Sequence, residues 1–338
     1  MKFREKVIRR IADGSVGIAF PRMPPRPTAL IVVLALAVAG CGSSSGKSSP
    51  EPVRLALDFT PNAVHAGIYS ATSRGLDKKH GVHLIVRAPS ASTDSLTLLA
   101  TGRADLSIVD IHDLGLAREK GEDLVGVGEL VTHPLAAVIA REPVARPREL
   151  EGRRVGVSGL PSDVAVLKSV VEGDGGDYSR VKTVTIGFSA VPSLIAGKVD
   201  AATAFWNAEG VTLKQRGVPT HDFRVDQFGA PAYPELVIVT KRSTLDAKRP
   251  LIEKTLAAIA DGASAAKANT AIALGPLVAA SGADPGLMRA ELAAVQPVLS
   301  PDLKLDKAAL EAWADFDVRF GILKTRPDVS QAFDFTLA

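Results

Sequence analysis

The chain has 338 residues, of which 46% are hydrophobic and 23% are charged, a composition that suits one large or two medium-sized globular domains. Residues 1–40 hold seven Lys and Arg and two Asp and Glu, so the formal net charge of +3 becomes −2 for the rest of the chain. That remainder has no excess of basic residues for binding nucleic acid, so this class of partner is excluded.

The N-terminal 40 residues predict an export signal and not a folded element. Residues 28–40 form an apolar run that is short for a membrane span, and two arginines precede it. The run ends in VAGC, which resembles a bacterial lipoprotein box, so Cys41, the single cysteine, is the predicted lipidation site. The Ser-rich segment 41–52 is then a flexible tether on the outer face of the cell membrane. The alternative is a cleaved signal with an incidental cysteine.

The first predicted strand covers residues 53–57, where apolar positions alternate with Arg and Ala. It ends at Asp58, and a Thr-Pro turn follows that is suited to begin a helix. A strand that feeds a helix through a polar turn places Asp58, Asn62 and His65 near the carboxyl edge of a sheet, where open α/β proteins bind small ligands. A capped first helix without any ligand is the alternative.

A second strand is predicted over 81–86, followed by a polar loop at 89–94 and a helix over 95–101. Ser90 lies in that loop. Backbone N–H groups at the start of such a helix can hold a ligand oxygen. Simple capping of the helix explains the same residues equally well.

An internal repeat at an offset of 95 predicts two similar lobes. Residues 99–106 (LATGRADL) reappear as residues 194–201 (LIAGKVDA), and each copy predicts a helix ended by Gly, a tight turn and a strand. Two copies of one α/β unit so far apart favour a two-lobed protein over a solenoid. This is the sequence pattern of a periplasmic-type binding protein.

The chain is predicted to cross between the lobes twice. The apolar strand 135–140 precedes Pro143 and Pro147, where the first crossing is expected, and the strand 236–240 returns to the first lobe. Residues after 246 are helical in pattern and are expected to pack on the first lobe. The predicted bounds are 53–143 and 234–338 for lobe I and 148–232 for lobe II.

The richest polar and aromatic stretch after the first strand is 203–210 (TAFWNAEG), at the end of a repeat strand. Trp206, Asn207 and Glu209 together are able to stack a heteroaromatic ring and hydrogen-bond its edge. A core Trp with a solvated Glu is the alternative. At the equivalent place in the first copy stands Asp110, which offers a carboxylate to a polar substituent, whereas His112 and Asp113 are predicted to cap a helix.

Two of these stretches resemble one protein family. The segments LDFTPN and HAGIY at 57–62 and 65–69 are similar to the opening of the NMT1/THI5-like proteins, which include pyrimidine and riboflavin receptors of ABC importers. The segment WNAEG resembles a receptor segment in which a Glu addresses the ligand ring. The resemblance implies an α/β fold of the type II periplasmic-binding-protein class, with the ligand in a cleft between two lobes. It also implies that Glu209 contacts the ring and that Trp206 stacks on it.

Two positions depart from the family pattern, since Phe59 stands where a Trp is usual and Asp110 where an aromatic residue often stands. The predicted ligand-binding residues are Asp58, Phe59, Asn62, His65, Tyr69, Ser90, Asp110, Trp206, Asn207, Glu209 and Tyr233.

The predicted function is a monomeric solute-binding lipoprotein that closes on its ligand by a hinge and delivers it to the permease and ATPase of an ABC importer. The expected ligand is a thiamine-precursor pyrimidine, such as formylaminopyrimidine or hydroxymethylpyrimidine, or riboflavin. An alkanesulfonate or taurine-type receptor, an enzyme of pyrimidine biosynthesis and a binding lobe that serves a sensor are the alternatives. Sulfonate receptors require oxyanion donors, whereas these stretches supply aromatics and carboxylates.

Enzymatic activity is not expected, and neither a metal nor a cofactor is predicted. The sequence lacks G-x-S-x-G, H-E-x-x-H and Walker A motifs, and the six His show no metal-ligand spacing. The related eukaryotic pyrimidine synthase resembles this fold but uses a Lys and a His four residues apart. The corresponding positions here are Val109 and Asp113, so the amine of that mechanism is missing.

Overall fold

The computed structural model describes residues 49–90, 94–160 and 162–337. The predicted export signal, Cys41 and most of the tether therefore lie outside the described residues. The strands are β1 Glu51–Ala56, β2 Val82–Arg87, β3 Leu106–Asp110, β4 Leu124–Glu129, β5 Ala136–Arg141, β6 Arg154–Val157, β7 Lys182–Thr185, β8 Ala201–Phe205, β9 Thr220–Arg224 and β10 Leu236–Lys241.

The α-helices are α1 Ala66–Ser73, α2 Leu76–Lys79, α3 Asp94–Ala100, α4 Ile111–Glu119, α5 Ser162–Gly173, α6 Ala190–Ile195, α7 Val211–Gln215, α8 Arg242–Ala268, α9 Ala271–Ser281, α10 Pro285–Val295, α11 Lys307–Arg319 and α12 Val329–Ala332. A 3₁₀ turn at Ala63–His65 precedes α1, and a π-helical turn at Trp206–Gly210 joins β8 to α7. Within the part of the chain that the structure describes, no helix combines the length and the apolar character needed to cross a membrane.

The strands form two five-stranded sheets of the same topology. Their orders are β2-β1-β3-β10-β4 and β7-β6-β8-β5-β9. In each sheet three parallel strands are followed by an antiparallel strand inserted beside the third, β10 in the first sheet and β5 in the second. The two-lobed α/β fold predicted from the sequence is confirmed.

The repeat at an offset of 95 marks equivalent parts of the two lobes. Its copies end the helices α3 and α6 at Gly102 and Gly197, which have φ of 69° and 64°, values that favour glycine. The strands that follow, β3 and β8, hold the same central place in their sheets. The predicted helix, glycine turn and strand are therefore present in both copies.

The predicted site of the first crossing was wrong. β5, predicted as the last strand of lobe I before Pro143 and Pro147, pairs with β8 and β9 of the second sheet. The chain therefore passes between the sheets within 130–135, before β5 and not after it. The two prolines follow a central strand of lobe II, so they mark the end of that strand. The return strand β10 does lie in the first sheet.

Close packing of α1 on α8 explains one residue of the N-terminal motif. A Cβ added at Gly67 would lie 2.8 Å from Cβ of Ala263, and one added at Gly262 would overlap the carbonyl oxygen of Gly67. The two helices approach each other more closely than side chains allow, so the glycine in HAGIY serves packing. Later helices also reach the second lobe, since α10 contacts α7 and Lys168 donates to the carbonyl of Phe320 at 3.1 Å.

Candidate functional site

A cavity of about 110 Å³ lies between the two sheets. The carboxyl ends of β1, β3 and β8 meet there with the N-terminal turns of α4 and α5. This is the position at which open α/β sheets bind ligands. The residues that give the wall its chemistry include Asp58, Phe59, Asp110, Asp163, Phe205 and Glu209.

Asp58 is the first carboxylate of the cavity wall, and His65 holds it in place. Nδ1 of His65 accepts from the backbone N–H of Asn62 at 3.2 Å, so Nε2 carries the ring proton and donates it to Oδ1 of Asp58 at 2.9 Å. His65 is fully buried and does not line the cavity. It positions Asp58, which is the group that meets the cavity.

Asn62 serves the backbone of the same turn. Its side-chain oxygen accepts from the N–H of Val64 at 2.9 Å, and its amide donates to the carbonyl of Thr60 at 3.1 Å. This is a capping box with His65 as its second member. Of the three residues predicted here as ligand contacts, the structure brings only Asp58 to the cavity.

In the second lobe the aromatic ring that lines the cavity belongs to Phe205 and not to Trp206. Trp206 Nε1 donates to the carbonyl of Pro134 at 3.1 Å, and the Arg224 guanidinium lies 3.9 Å from the centre of the indole ring. Phe205 lines the cavity, whereas Trp206 lines a separate pocket together with Pro134 and Arg224. Trp206 is therefore not among the residues that line the cavity, where the predicted stacking role would require it.

Glu209, the residue predicted to contact the ligand ring, lines the cavity. One carboxylate oxygen accepts from the backbone N–H of Phe205 at 3.1 Å, which fixes the side chain across the π-helical turn. Burial raises the pKa of Glu209, and the charge of Asp58 raises it further. The two carboxylates therefore act on the same space from opposite lobes.

Four other predicted ligand contacts lie away from the cavity. Tyr69 packs against the hydrophobic core, and Ser90 donates to Asp94 at the start of α3 through its hydroxyl at 2.5 Å. Asn207 is fully buried with no hydrogen-bond partner for its side chain among the described residues. Tyr233 is also fully buried, and its hydroxyl meets Nε2 of His112 at 3.0 Å. Each of these side chains serves the interior or a helix start.

Phe59 was predicted and two further phenylalanines were missed. Phe59 from lobe I and Phe188 from lobe II both line the cavity and meet edge to face, with ring centroids 4.5 Å apart. Phe205 completes an aromatic lining. The repeat could have predicted Phe205 as a cavity residue, because the offset of 95 residues places it at the position equivalent to Asp110. Phe188 stands in a loop with no distinguishing pattern.

Asp110 caps α4 and lines the cavity. It accepts from the N–H of His112 at 2.8 Å. His112 was expected to cap a helix but lies in a buried network, where Nδ1 meets Asp317 at 2.6 Å. Burial alone lowers its pKa, but the charge and hydrogen bond of Asp317 outweigh this and raise the pKa of His112 to about 10. His112 is therefore an imidazolium at neutral pH.

Asp110, His112 and Glu235 bring an oxygen or nitrogen atom each to within 4.8 Å of one another. Such a trio can bind a metal ion in principle. Both nitrogens of His112 are already hydrogen-bonded, to Asp317 and Tyr233, so the trio fits a metal ion poorly.

Two further carboxylates line the cavity, and the first of them, Asp113, joins the lobes. Asp113 on α4 accepts from the N–H and the hydroxyl of Ser162 on α5, at 3.2 and 3.3 Å. Burial raises the pKa of Asp113 to about 6. Asp163 accepts from Thr203 at 2.6 Å and from Ser158 at 3.0 Å. The expected capping role of Asp113 is thus replaced by a bridge between lobes.

The chain is similar to curated proteins of pyrimidine metabolism. It is 32% identical over 220 residues to the formylaminopyrimidine-binding protein of Halalkalibacterium halodurans, which covers 64% of this chain and 67% of that one. It is 25% identical over 173 residues to the 4-amino-5-hydroxymethyl-2-methylpyrimidine phosphate synthase of Uromyces fabae, covering 49% and 50%. The chain thus spans between half and two thirds of the length of these relatives.

A solved structure and a family model give the remaining comparisons. The alkanesulfonate-binding protein SsuA of Xanthomonas axonopodis pv. citri, bound to MOPS, aligns with a TM-score of 0.68 at 18% identity over 85% of this chain and 99% of that one. Identity this low shows a shared fold alone. The family model described as NMT1/THI5 like matches residues 62–273. The chain belongs to the NMT1/THI5-like family.

Proposed function

We propose that this protein is the solute receptor of an ABC importer and that its ligand is a single-ring aminopyrimidine of the thiamine-precursor type. One observation carries the proposal. The cavity between the lobes has carboxyl groups on both walls and three phenylalanine rings, with no Lys, Arg or His among the described residues that line it. A carboxylate accepts from ring and exocyclic N–H groups, and aromatic rings pack on the faces of a heteroaromatic ring.

The charge of the wall argues against a sulfonate ligand. Asp58, Asp110, Asp113, Asp163 and Glu209 all line the cavity, and like charges close to a bound anion are unfavourable. A sulfonate would require donors in place of these acceptors. The fold shared with the alkanesulfonate receptor is by itself no support for a sulfonate ligand here.

The volume of the cavity separates the two heteroaromatic candidates. Pockets for drug-sized ligands measure about 300–1,000 Å³, and this cavity has about 110 Å³. A single pyrimidine ring suits that space better than the three fused rings of riboflavin. The name of the Halalkalibacterium halodurans relative supports the same choice.

Because some relatives are named as pyrimidine phosphate synthases, the protein could be an enzyme or a receptor. The residues of the site favour a receptor. Val109 lines the cavity where the resemblance to the synthase places a Lys. An aliphatic side chain forms no Schiff base, and Asp113 bridges the lobes where that enzyme has a His. Incubation with pyridoxal phosphate, borohydride reduction and peptide mapping should find no labelled residue among those that line the cavity; a labelled residue there would favour the enzyme.

Contacts between the lobes support closure around the ligand. The edge-to-face pair Phe59–Phe188 and the Asp113–Ser162 hydrogen bonds join lobes that ligand binding can bring together. Small-angle scattering should show a smaller radius of gyration when formylaminopyrimidine is added. An unchanged radius at saturation would argue against closure.

Anchoring at Cys41 and docking on a permease and ATPase belong to the same proposal. The lipobox and the Ser-rich tether support them, together with the binding-protein relatives. A Cys41→Ala protein should leave the membrane fraction, whereas wild type should stay in it. Equal amounts of both proteins in the membrane would overturn the anchor.

A direct test of the ligand is native mass spectrometry of the protein purified from its own organism. A co-purified mass that matches an aminopyrimidine supports the proposal. A co-purified flavin or sulfonate would replace it with one of the alternatives.

A further inference from the structure

A second cavity lies on the other side of the π-helical turn from the first. Phe205 and Glu209 line the first cavity, whereas Trp206 and Gly210 line the second. The turn Trp206–Gly210 therefore separates the two. The second cavity has a volume of about 340 Å³, which falls within the range of about 300–1,000 Å³ for small-molecule pockets. It is large enough to hold a ligand of its own.

Two parts of the chain that are hydrogen-bonded to each other form an apolar wall of this cavity. Pro134 comes from the crossing segment 130–135, and Pro297 and Val298 lie in the 3₁₀ turn after α10. The carbonyl of Val298 accepts from the N–H of Thr132 in the crossing segment at 2.9 Å. The wall is therefore held together without a ligand, and it offers an apolar surface to an aliphatic side chain.

Arg224 is a cation with a fixed orientation in the second cavity. Its guanidinium carbon lies 3.9 Å from the centre of the Trp206 ring, and the indole N–H donates to the carbonyl of Pro134 at 3.1 Å. Stacking on an aromatic face orients the guanidinium, and its N–H groups donate to none of the described residues. The fork of N–H groups is therefore free to bind a carboxylate, whose planar geometry it matches.

The charged side chains of the second cavity do not pair with one another. Lys214 joins Arg224 as a cation, and Asp222 and Asp226 are the anions. Among the described residues, none of these four side chains has a partner in a hydrogen bond or an ion pair. Asp222 lies against the turn, since its Oδ2 would be 3.0 Å from a Cβ placed at Gly210. Two charges of each sign, held apart in one cavity, are complementary to a ligand that carries both signs.

We infer that the second cavity binds an α-amino acid with an aliphatic side chain. The carboxylate of the amino acid accepts from Arg224 and Lys214, its ammonium group donates to Asp222 and Asp226, and its side chain packs on the apolar wall. The first cavity offers no such pair of contacts, because none of the described residues that line it is basic. The second site is therefore independent of the proposed function.

The test compares L-leucine with two molecules that each lack one of its charges. 4-Methylpentanoate is leucine without the ammonium group, and 3-methylbutylamine is leucine without the carboxylate. In calorimetry at pH 7 with the wild-type protein, leucine should bind at least about tenfold more tightly than either, because each of them loses one set of charge-assisted hydrogen bonds. If leucine binds no more tightly than one of these molecules, or does not bind at all, the inference is overturned.

Two variants test the contacts on the two sides of the cavity. Arg224→Met keeps an aliphatic stem on the indole but removes the charge, so it should weaken leucine binding at least about tenfold and reduce the preference for leucine over 3-methylbutylamine. Asp222→Asn should reduce the preference for leucine over 4-methylpentanoate. Arg216→Met, at an exposed position outside the cavity, is the matched control and should bind leucine as wild type does. Wild-type affinity for leucine in Arg224→Met would overturn the carboxylate contact.

Fluorescence and competition locate the bound leucine. Leucine should change the tryptophan emission of the wild-type protein, and Trp206→Phe should lose this change although the buried Trp313 remains. Saturating leucine should not displace formylaminopyrimidine, and mutual displacement would place leucine in the first cavity and overturn the second site. Binding of leucine without any binding of formylaminopyrimidine would contradict the proposed function and leave this inference standing. The wild-type titrations decide the inference even if a variant does not fold.

Discussion

The junctions after β3 and after β8 occupy equivalent places in the two lobes but differ in chemistry. β3 ends at Asp110, which caps α4 and is backed by the buried network of His112, Asp317 and Glu235. β8 ends at Phe205, and a π-helical turn then brings Glu209 back to the cavity. The repeated topology therefore supplies the cavity, while each lobe supplies its own chemistry. The first wall depends on balanced charge, and the second on an aromatic ring with one carboxylate.

Asp317→Asn tests the first wall most strongly. The change leaves the buried imidazolium of His112 without its counter-ion, so the free energy of unfolding should fall by about 3–5 kcal/mol. Chemical denaturation measures the loss. Asp315→Asn on the same helix removes only an exposed ion pair with Arg326 and should cost about 1 kcal/mol or less. Equal losses in the two variants would mean that the buried His112–Asp317 pair stabilises the fold no more than an exposed ion pair does.

Trp206→Ala and Phe205→Ala test which of the two aromatic residues after β8 stabilises the fold and which contacts the ligand. Trp206 is 8% exposed, so its truncation should lower the free energy of unfolding by about 3–5 kcal/mol. Phe205→Ala should weaken ligand binding about tenfold through lost ring contact, at a smaller cost in stability. Denaturation and calorimetry on the same samples measure both. The reverse pattern would place the indole, and not the Phe205 ring, against the ligand.

The pH dependence of stability should reflect two buried groups outside the cavity lining, Glu291 on α10 and His112 on α4, in different ranges. Burial, with the charge of Glu209, raises the pKa of Glu291 to about 7, and Asp317 raises that of His112 to about 10. A raised pKa means that the folded state binds the proton more tightly, so stability is present at low pH and is lost as pH rises. For each group, stability should fall by at most about 1.4 kcal/mol for every pH unit between its ordinary and its raised pKa.

The two ranges are separable by variants. The loss assigned to Glu291 should fall between about pH 4.5 and 7, and that assigned to His112 between about pH 6.5 and 10. Glu291→Gln should flatten the first part of the curve, and Asp317→Asn the second. A curve that rises with pH across the full range would contradict the account.

Glu209→Gln is the mildest change and concerns binding alone. It keeps the shape of the side chain but removes its charge, so the affinity for formylaminopyrimidine should fall about tenfold to a hundredfold, or about 1.4–2.8 kcal/mol. Glu172→Gln, an exposed change on α5, is the control and should bind as wild type does. Unchanged affinity in Glu209→Gln would remove the carboxylate from the ligand contacts.

Local patterns were enough to predict much of the fold. The alternation before Asp58 and the turn after it predicted the first strand and the first cavity carboxylate. The repeat at an offset of 95 predicted two lobes with equivalent central strands. Which sheet an apolar strand joins is set by long-range pairing, so the place of β5 was predicted wrongly.

The sequence missed parts of the site for two reasons. Some depend on the direction of a side chain, and others depend on contacts between residues that lie far apart in the chain. A shift of one residue at the end of β8 decides whether Phe205 or Trp206 meets the cavity. His112 contacts Asp317 and Tyr233, which lie 205 and 121 residues away along the chain. No local pattern links such residues, so the sequence predicted a capping role for His112 and a ligand contact for Tyr233, whereas the structure places both side chains in a buried network.

The most direct test of the central claim compares an aminopyrimidine with a sulfonate in the same calorimeter. Formylaminopyrimidine and MOPS are titrated separately into the mature wild-type protein at pH 7 and fixed ionic strength. The acidic, aromatic cavity predicts measurable binding of the aminopyrimidine and none of the sulfonate. Tight binding of MOPS with no heat from the aminopyrimidine would contradict the account.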